Sequence, residues 1–140
     1  MASDMYDKEL SSYVHTYSTK HGFNGDMGVE PVPDCGVING QGVCKGGKGQ
    51  KRASMALPGK QQYRFRLINT GSLASIRFRL EQHTMTVVEA DGTLVEPMEV
   101  NYVDVMVGQR YSVLIRLDGQ PGQCRCKMYL TSGMNSLSAL

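Results

Sequence analysis

The side chains of this 140-residue chain best suited to chemistry are three histidines, His15, His21 and His83, and four cysteines, Cys35, Cys44, Cys124 and Cys126. Copper or zinc would need such groups to converge, and the usual sequence sign is a pair at short fixed spacing, His-x-His or Cys-x-x-Cys. Neither pattern occurs. His15 and His21 fall in the N-terminal segment and His83 in "EQHTM" between two strand patterns, so each reads as a surface or turn histidine. Cys124-Arg125-Cys126 puts two thiols on one face of an extended segment, where residues two apart are poorly placed to bond each other. They read as buried apolar filler or as partners for Cys35 or Cys44. The four cysteines allow three fully paired connectivities, and spacing does not select one. A thiol-based copper site, helped by Met85, Met106 or Met128, is the metal reading that remains.

Other chemistries find less support. No Gly-x-Ser-x-Gly, Walker loop or dinucleotide fingerprint occurs, and the glycine-rich "GQGVCKGGKGQ" lacks the strand-to-helix setting a phosphate cradle needs. "YRFRL" and "IRFRL" interleave aromatics with arginines, but period two sends the aromatics inward and the arginines outward, so no nucleic-acid partner is expected. The net charge is +2, and the densest basic cluster, "KGGKGQKR", reads as a solvated loop.

The elements that must position these groups follow from periodicity. With 41% hydrophobic residues the chain has the material for one core. From Gln61 onward apolar residues alternate: Tyr63, Phe65 and Leu67; Ile76, Phe78 and Leu80; Val103, Val105 and Val107; Tyr111, Val113, Ile115 and Leu117; Cys124, Cys126, Met128 and Leu130. "TMTVVEA" is more continuously apolar and predicts a strand covered on both sides, while "ADGT" and "DGQPG" supply turns. Regular short strands with glycine punctuation predict an antiparallel sandwich or barrel. The exception is "YDKELSSYVHTYSTKHG", where Tyr6, Leu10, Tyr13, Val14 and Tyr17 share helical spacing and predict a short helix or irregular arm. After it, "FNGDMGVEPVPDCGVINGQG" should run extended before Val37 and Ile38 enter a sheet. The division is an arm over 1–30 and a sandwich over 31–140.

No window approaches the roughly 20 apolar residues of a membrane helix, so no membrane partner is expected. "MASDMYDKEL" has no signal-peptide core. Met-Ala-Ser is also what a cloning remnant looks like, which leaves localisation open.

Read in order, "VEPVPDCGVINGQG", "YRFRLINTG", "HTMTVVEADGTLVEP" and "VGQRYSVLI" resemble the second cupredoxin domain of three-domain fungal multicopper oxidases, the laccase and ferroxidase group. "SDMYDKELSSYVHTYST" resembles the segment leading out of the first domain of those enzymes. The resemblance implies an all-β, Greek-key cupredoxin-like β-sandwich packed between two copper-bearing cupredoxin domains, which would be its partners. It implies copper in the parent enzyme and no copper ligand in this domain, because the mononuclear site of the family lies in the third domain and the trinuclear cluster between the first and third. The implied parent is secreted and couples one-electron oxidation of phenols or similar donors to reduction of dioxygen to water; this chain alone would be inactive. One residue carries a role over: a carboxylate near the start of the middle domain faces the substrate pocket, and Asp34 occupies the matching position. Read by itself, Asp34 caps a turn after Pro33.

The chain departs from the family pattern at "DMYD", where Asp-Trp-Tyr-His is usual, and at "CRC", where a Tyr-Trp pair is usual. Both changes remove aromatic bulk and would alter a docking surface. Two rival functions remain open at this level: a stand-alone β-sandwich binding module, using an exposed sheet face for self-association, and the small thiol-based copper protein named above.

Overall fold

The computed structural model describes all residues except 24, 26–28, 45–50, 59–60, 118–125, 133–134 and 140, and only the backbone at 10, 126, 131–132 and 135–139. The elements run β1 (Ala2–Met5), α1 (Leu10–Tyr17), β2 (Cys35–Ile38), β3 (Gln62–Ile68), β4 (Ser75–Leu80), β5 (Met85–Ala90), β6 (Thr93–Val100), β7 (Val103–Val105), β8 (Arg110–Arg116), β9 (Cys126–Ser132) and β10 (Asn135–Ala139). Two four-stranded sheets, ordered β3-β8-β5-β6 and β10-β9-β4-β7, face each other, and β1 and β2 form a separate ribbon. Only β5–β6 and β9–β10 are chain neighbours within a sheet; the other steps from β3 to β9 cross between sheets, which is Greek-key wiring.

Alternation builds the core. The antiparallel register places Tyr63 opposite Ile115, Phe65 opposite Val113 and Leu67 opposite Tyr111, so apolar side chains share one face of β3 and β8. In the other sheet Ile76 meets Val105 and Leu130, and Phe78 meets Val103 and Met128. Phe78, Leu80, Met85, Val87, Val103, Val105, Val113 and Ile115 are buried together between the sheets. Each contributes roughly 1.5–3 kcal/mol by leaving water. Arg64, Arg66 and Arg79 lie on exposed outer faces.

The structure departs from the sequence reading in four places. Val107 does not continue the inward face of β7: that strand stops at Val105, the chain turns through Gly108 at φ 78°, and Val107 is 41% exposed. β5 is covered on one side only, with Met85 and Val87 buried but Thr86 and Val88 half-buried. β6 was not legible as a strand, since Pro97, Glu96 and Glu99 interrupt it; it survives as an edge strand, where a missing N–H is tolerated, and its register with β5 shifts at Val87/Glu89. Ala2–Met5, read as part of the arm, is extended and pairs antiparallel with β2, Asp4 opposite Gly36 and Met5 opposite Cys35.

That ribbon packs on a second cluster of Ala74, Ile76, Met128 and Leu130, with Ala2 and Ile38 against it. Gly36 permits the close approach: a Cβ there would lie 2.9 Å from Met128 Cε and 3.0 Å from Leu130 Cδ2. Helix α1 follows as expected, but Tyr13 alone of its described apolar stripe is sheltered, its ring centroid 5.7 Å from those of Tyr6 and Phe23, while Val14 and Tyr17 face water.

Candidate functional site

Asp34 lies immediately before β2, exposed, behind the buried Pro33. Its amide donates to Met5 O at 2.9 Å, and its Oδ2 accepts the Asp7 N–H at 2.8 Å. The carboxylate of Asp34 is therefore tethered through one oxygen across the ribbon to Asp7, not to a turn after Pro33, where the chain runs directly into β2. Next to it Cys35 is joined to Cys44 by a disulfide, Cα to Cα 5.2 Å. This selects one pairing and overturns the reading of Cys35 or Cys44 as a partner for Cys124 or Cys126: Cys35 starts β2 and the chain doubles back at Asn39-Gly40, bringing the local partner within reach. Cys124, and the turn read at "DGQPG", lie outside the described residues, as do Lys45–Gln50 of the basic cluster.

Two residues that the sequence reading missed organise this end of the sandwich. Asp4 accepts backbone N–H bonds from Ser72 at 2.9 Å, Leu73 at 2.8 Å and Ala74 at 3.1 Å, a nest of amides around one carboxylate. Gly71 makes room, since a Cβ there would lie 3.0 Å from the Asp4 carboxyl. Tyr6 Oη lies 3.5 Å from Ser72 Oγ, and burial raises the pKa of its hydroxyl. Asn69 is buried; its Nδ2 donates to Ala74 O and Val105 O, and its Oδ1 accepts the Gly71 N–H. The last bond is an Asx turn, the one part of this cluster with a local signal in "INTG". No local pattern announces Asp4, whose partners are 68 to 70 residues away.

The histidines occupy separate places. His15 is exposed on α1, His21 exposed beyond it, and His83 Nδ1 lies 2.8 Å from Glu81 O in the β4–β5 turn. Among the described residues no three His, Cys, Asp or Glu side chains converge as a metal site would require. No step through copper is assigned to this chain. No helix among them is long and apolar enough to cross a membrane.

The sheet faces carry ion pairs. Arg77 donates to both oxygens of Asp104 at 2.7 Å, which lowers the Asp104 pKa and raises that of Arg77. The Ser112 hydroxyl at 2.8 Å, and then Arg64, lower that of Glu89. A carboxylate whose folded pKa is depressed stabilises the fold above its unfolded pKa and loses that contribution as pH falls through the folded value. The thermal midpoint should accordingly fall as pH drops below about 4. Asp104→Asn should flatten that fall; an unaltered slope in the variant would show that the Arg77 pair contributes nothing to it.

Comparison with known proteins places this geometry. The multicopper oxidase (Cu-oxidase) family model matches residues 1–129. "Laccase-2" of Thanatephorus cucumeris is 31% identical over 134 residues, covering 91% of this chain and 22% of that protein. "L-ascorbate oxidase" of Cucumis sativus is 29% identical over 140 residues, covering 83% and 24%. Among solved structures, Fet3p, a multicopper oxidase that functions in iron import, superposes with TM-score 0.77 at 22% identity over 92% of this chain and 22% of that one. The laccase of Botrytis aclada does so with TM-score 0.72 at 20% identity over 92% and 23%. These two share the sandwich fold. The chain thus spans roughly a fifth to a quarter of the length of such relatives, and with its two facing Greek-key sheets and a family match running through 129 of its residues it belongs to the multicopper oxidase family.

Proposed function

We propose that this chain is the middle cupredoxin domain of a secreted, fungal, three-domain laccase-like oxidase, a wall between copper-bearing neighbours that lends Asp34 to the substrate pocket and is inactive alone. Copper held by the flanking domains would supply the electron chemistry that couples oxidation of phenols or similar donors to reduction of dioxygen. The observation that carries the reading is the pairing of a family sandwich with chemistry-bearing side chains scattered over separate elements, His15 on α1 and His83 in the β4–β5 turn. The Cys35–Cys44 disulfide supports an oxidising compartment. Asp34 contributes an exposed carboxylate with Oδ2 tethered, able to accept a hydrogen bond or proton from a phenol as electrons leave it.

Copper per chain, measured by elemental mass spectrometry after reconstitution and removal of loose metal, should be near zero. A stoichiometric value would overturn the wall reading in favour of the thiol-based copper protein and make Cys124 and Cys126 the first residues to mutate. In the complete oxidase carrying this domain, Asp34→Asn should lower kcat/KM for phenols on the order of 10- to 100-fold at unchanged copper content. Equal kcat/KM would remove Asp34 from the site.

A second reading has its own observation. On edge strand β6, Leu94 is 76% and Met98 59% exposed, apolar area that a flanking domain or a second copy would cover. A chain mass by light scattering that rises with concentration would favour self-association.

A further inference from the structure

We infer that Asp4 is a positioning residue for Asp34: its carboxylate, seated in the amide nest of Ser72, Leu73 and Ala74, fixes the ribbon edge from which Asp34 is held. The inference rests on the substrate-pocket role proposed for Asp34.

The linkage is continuous. At one end the Asp4 Oδ2 accepts the amides of Ser72, Leu73 and Ala74 at 2.8 to 3.1 Å, and Oδ1 takes a further contact from the Ser72 N–H at 3.0 Å. Those amides lead directly into β4, whose Ile76, Phe78 and Leu80 are core residues, so the nest is part of the rigid sandwich. At the other end, the residue after Asp4 supplies the carbonyl that accepts the Asp34 N–H, and Asp7 supplies the amide that binds Asp34 Oδ2. Main chain and carboxylate of Asp34 are therefore both held by residues 5–7, and residues 5–7 are held to β4 through Asp4. On the strand side, Asp4 pairs with Gly36 and Met5 with Cys35, so the ribbon cannot shift without shifting Asp34.

The chemistry at Asp4 suits a clasp. An ionised carboxylate accepting several backbone amides forms charge-assisted bonds, stronger than neutral ones, and the amides are preorganised by the turn. Asparagine at this position keeps the shape, and its oxygen can still meet the three amides, but the charge is lost and an NH2 faces the Ser72 N–H. The clasp is then weakened at the nest while the sheet-to-sheet core is left untouched. A substrate-binding carboxylate displaced by about an ångström loses much of its effect on the reacting group, which is why a clasp at this distance matters to function.

Amide hydrogen exchange on the 140-residue chain tests the linkage without any substrate. In Asp4→Asn, protection of the Ser72–Ala74 amides and of the Asp7 and Asp34 amides should fall together, on the order of tenfold, while Val113 and Ile115 stay protected. Loss confined to 72–74 would overturn the inference, because the nest would then be uncoupled from Asp34. Loss extending to Val113 and Ile115 would also overturn it, because Asp4 would be a global stabiliser. In the complete oxidase, Asp4→Asn should raise KM for a phenol several-fold with copper content unchanged, and should add nothing in an Asp34→Asn background. If Asp34→Asn itself is silent, the reading of the pocket falls while the exchange result stands. If Asp34→Asn impairs turnover and Asp4→Asn does not, the inference falls and the pocket reading stands.

Discussion

Asn69→Ala is expected to lower the unfolding free energy by about 3–4 kcal/mol. The residue is 1% exposed and binds three backbone groups: Ala74 O at 2.9 Å, Val105 O at 3.0 Å and Gly71 N–H at 2.9 Å. Truncation orphans two buried carbonyls and the half-buried Gly71 N–H; each orphaned buried group costs about 1–3 kcal/mol, reduced where relaxation or a water restores a partner. The site is also a junction. Its main chain accepts the Gly108 N–H and donates to Gln109 O, so β3, the turn before β8 and the end of β7 meet there. Asn69→Asp should cost as much, because an oxygen would replace the amide that donates to two carbonyls. Urea unfolding would show a lower midpoint at unchanged m-value, since the exposed area is the same. A loss under about 1 kcal/mol would mean that those backbone groups find water, and that Asn69 is only a turn residue.

The second large effect is expected at the disulfide. Replacing Cys35 and Cys44 together by alanine should cost roughly 2–3 kcal/mol by release of a loop closed across a separation of 9 residues. Both cysteines are buried, at 7% and 4% exposure, so some packing is lost as well. The loss should be visible as a lower midpoint in oxidising buffer. Added reductant should destabilise the parent chain toward the variant and leave the variant where it was. A double variant as stable as the parent chain would show that the β1–β2 ribbon restricts this loop without the cross-link, and would weaken the case for an oxidising compartment.

Both predictions concern the same end of the sandwich, and it is the end that the sequence describes least. The residues there act on partners far along the chain, whereas periodicity reports only what neighbours in sequence do. Pro97 and the charges of β6 hid a strand that hydrogen bonds to β5 alone, because a strand at an edge needs neither an alternating pattern nor every N–H. Val107 was read inward because alternation gives no warning of where a strand ends; the Gly108 turn ends it.

The candidate site divides in the same way. By its own residues Asp34 was legible only as a turn cap, and its pocket role came from resemblance to a family. The structure replaces that local cap with a bond to the Asp7 N–H, 27 residues away, across a ribbon.

What the sequence by itself determined was a set of antiparallel strands, sandwich or barrel, each with one face turned to a core. Alternation in "YRFRL", "SIRFRL" and "RYSVLIR" commits one face of each strand to the core, because successive side chains of an extended backbone must point to opposite sides. Only the tertiary structure decided which strands neighbour one another, which cysteine pairs with which, and that Asp4 seats in the amides of residues 72–74. Those choices depend on loop closure and mutual burial across tens of residues, and a local pattern holds no record of them.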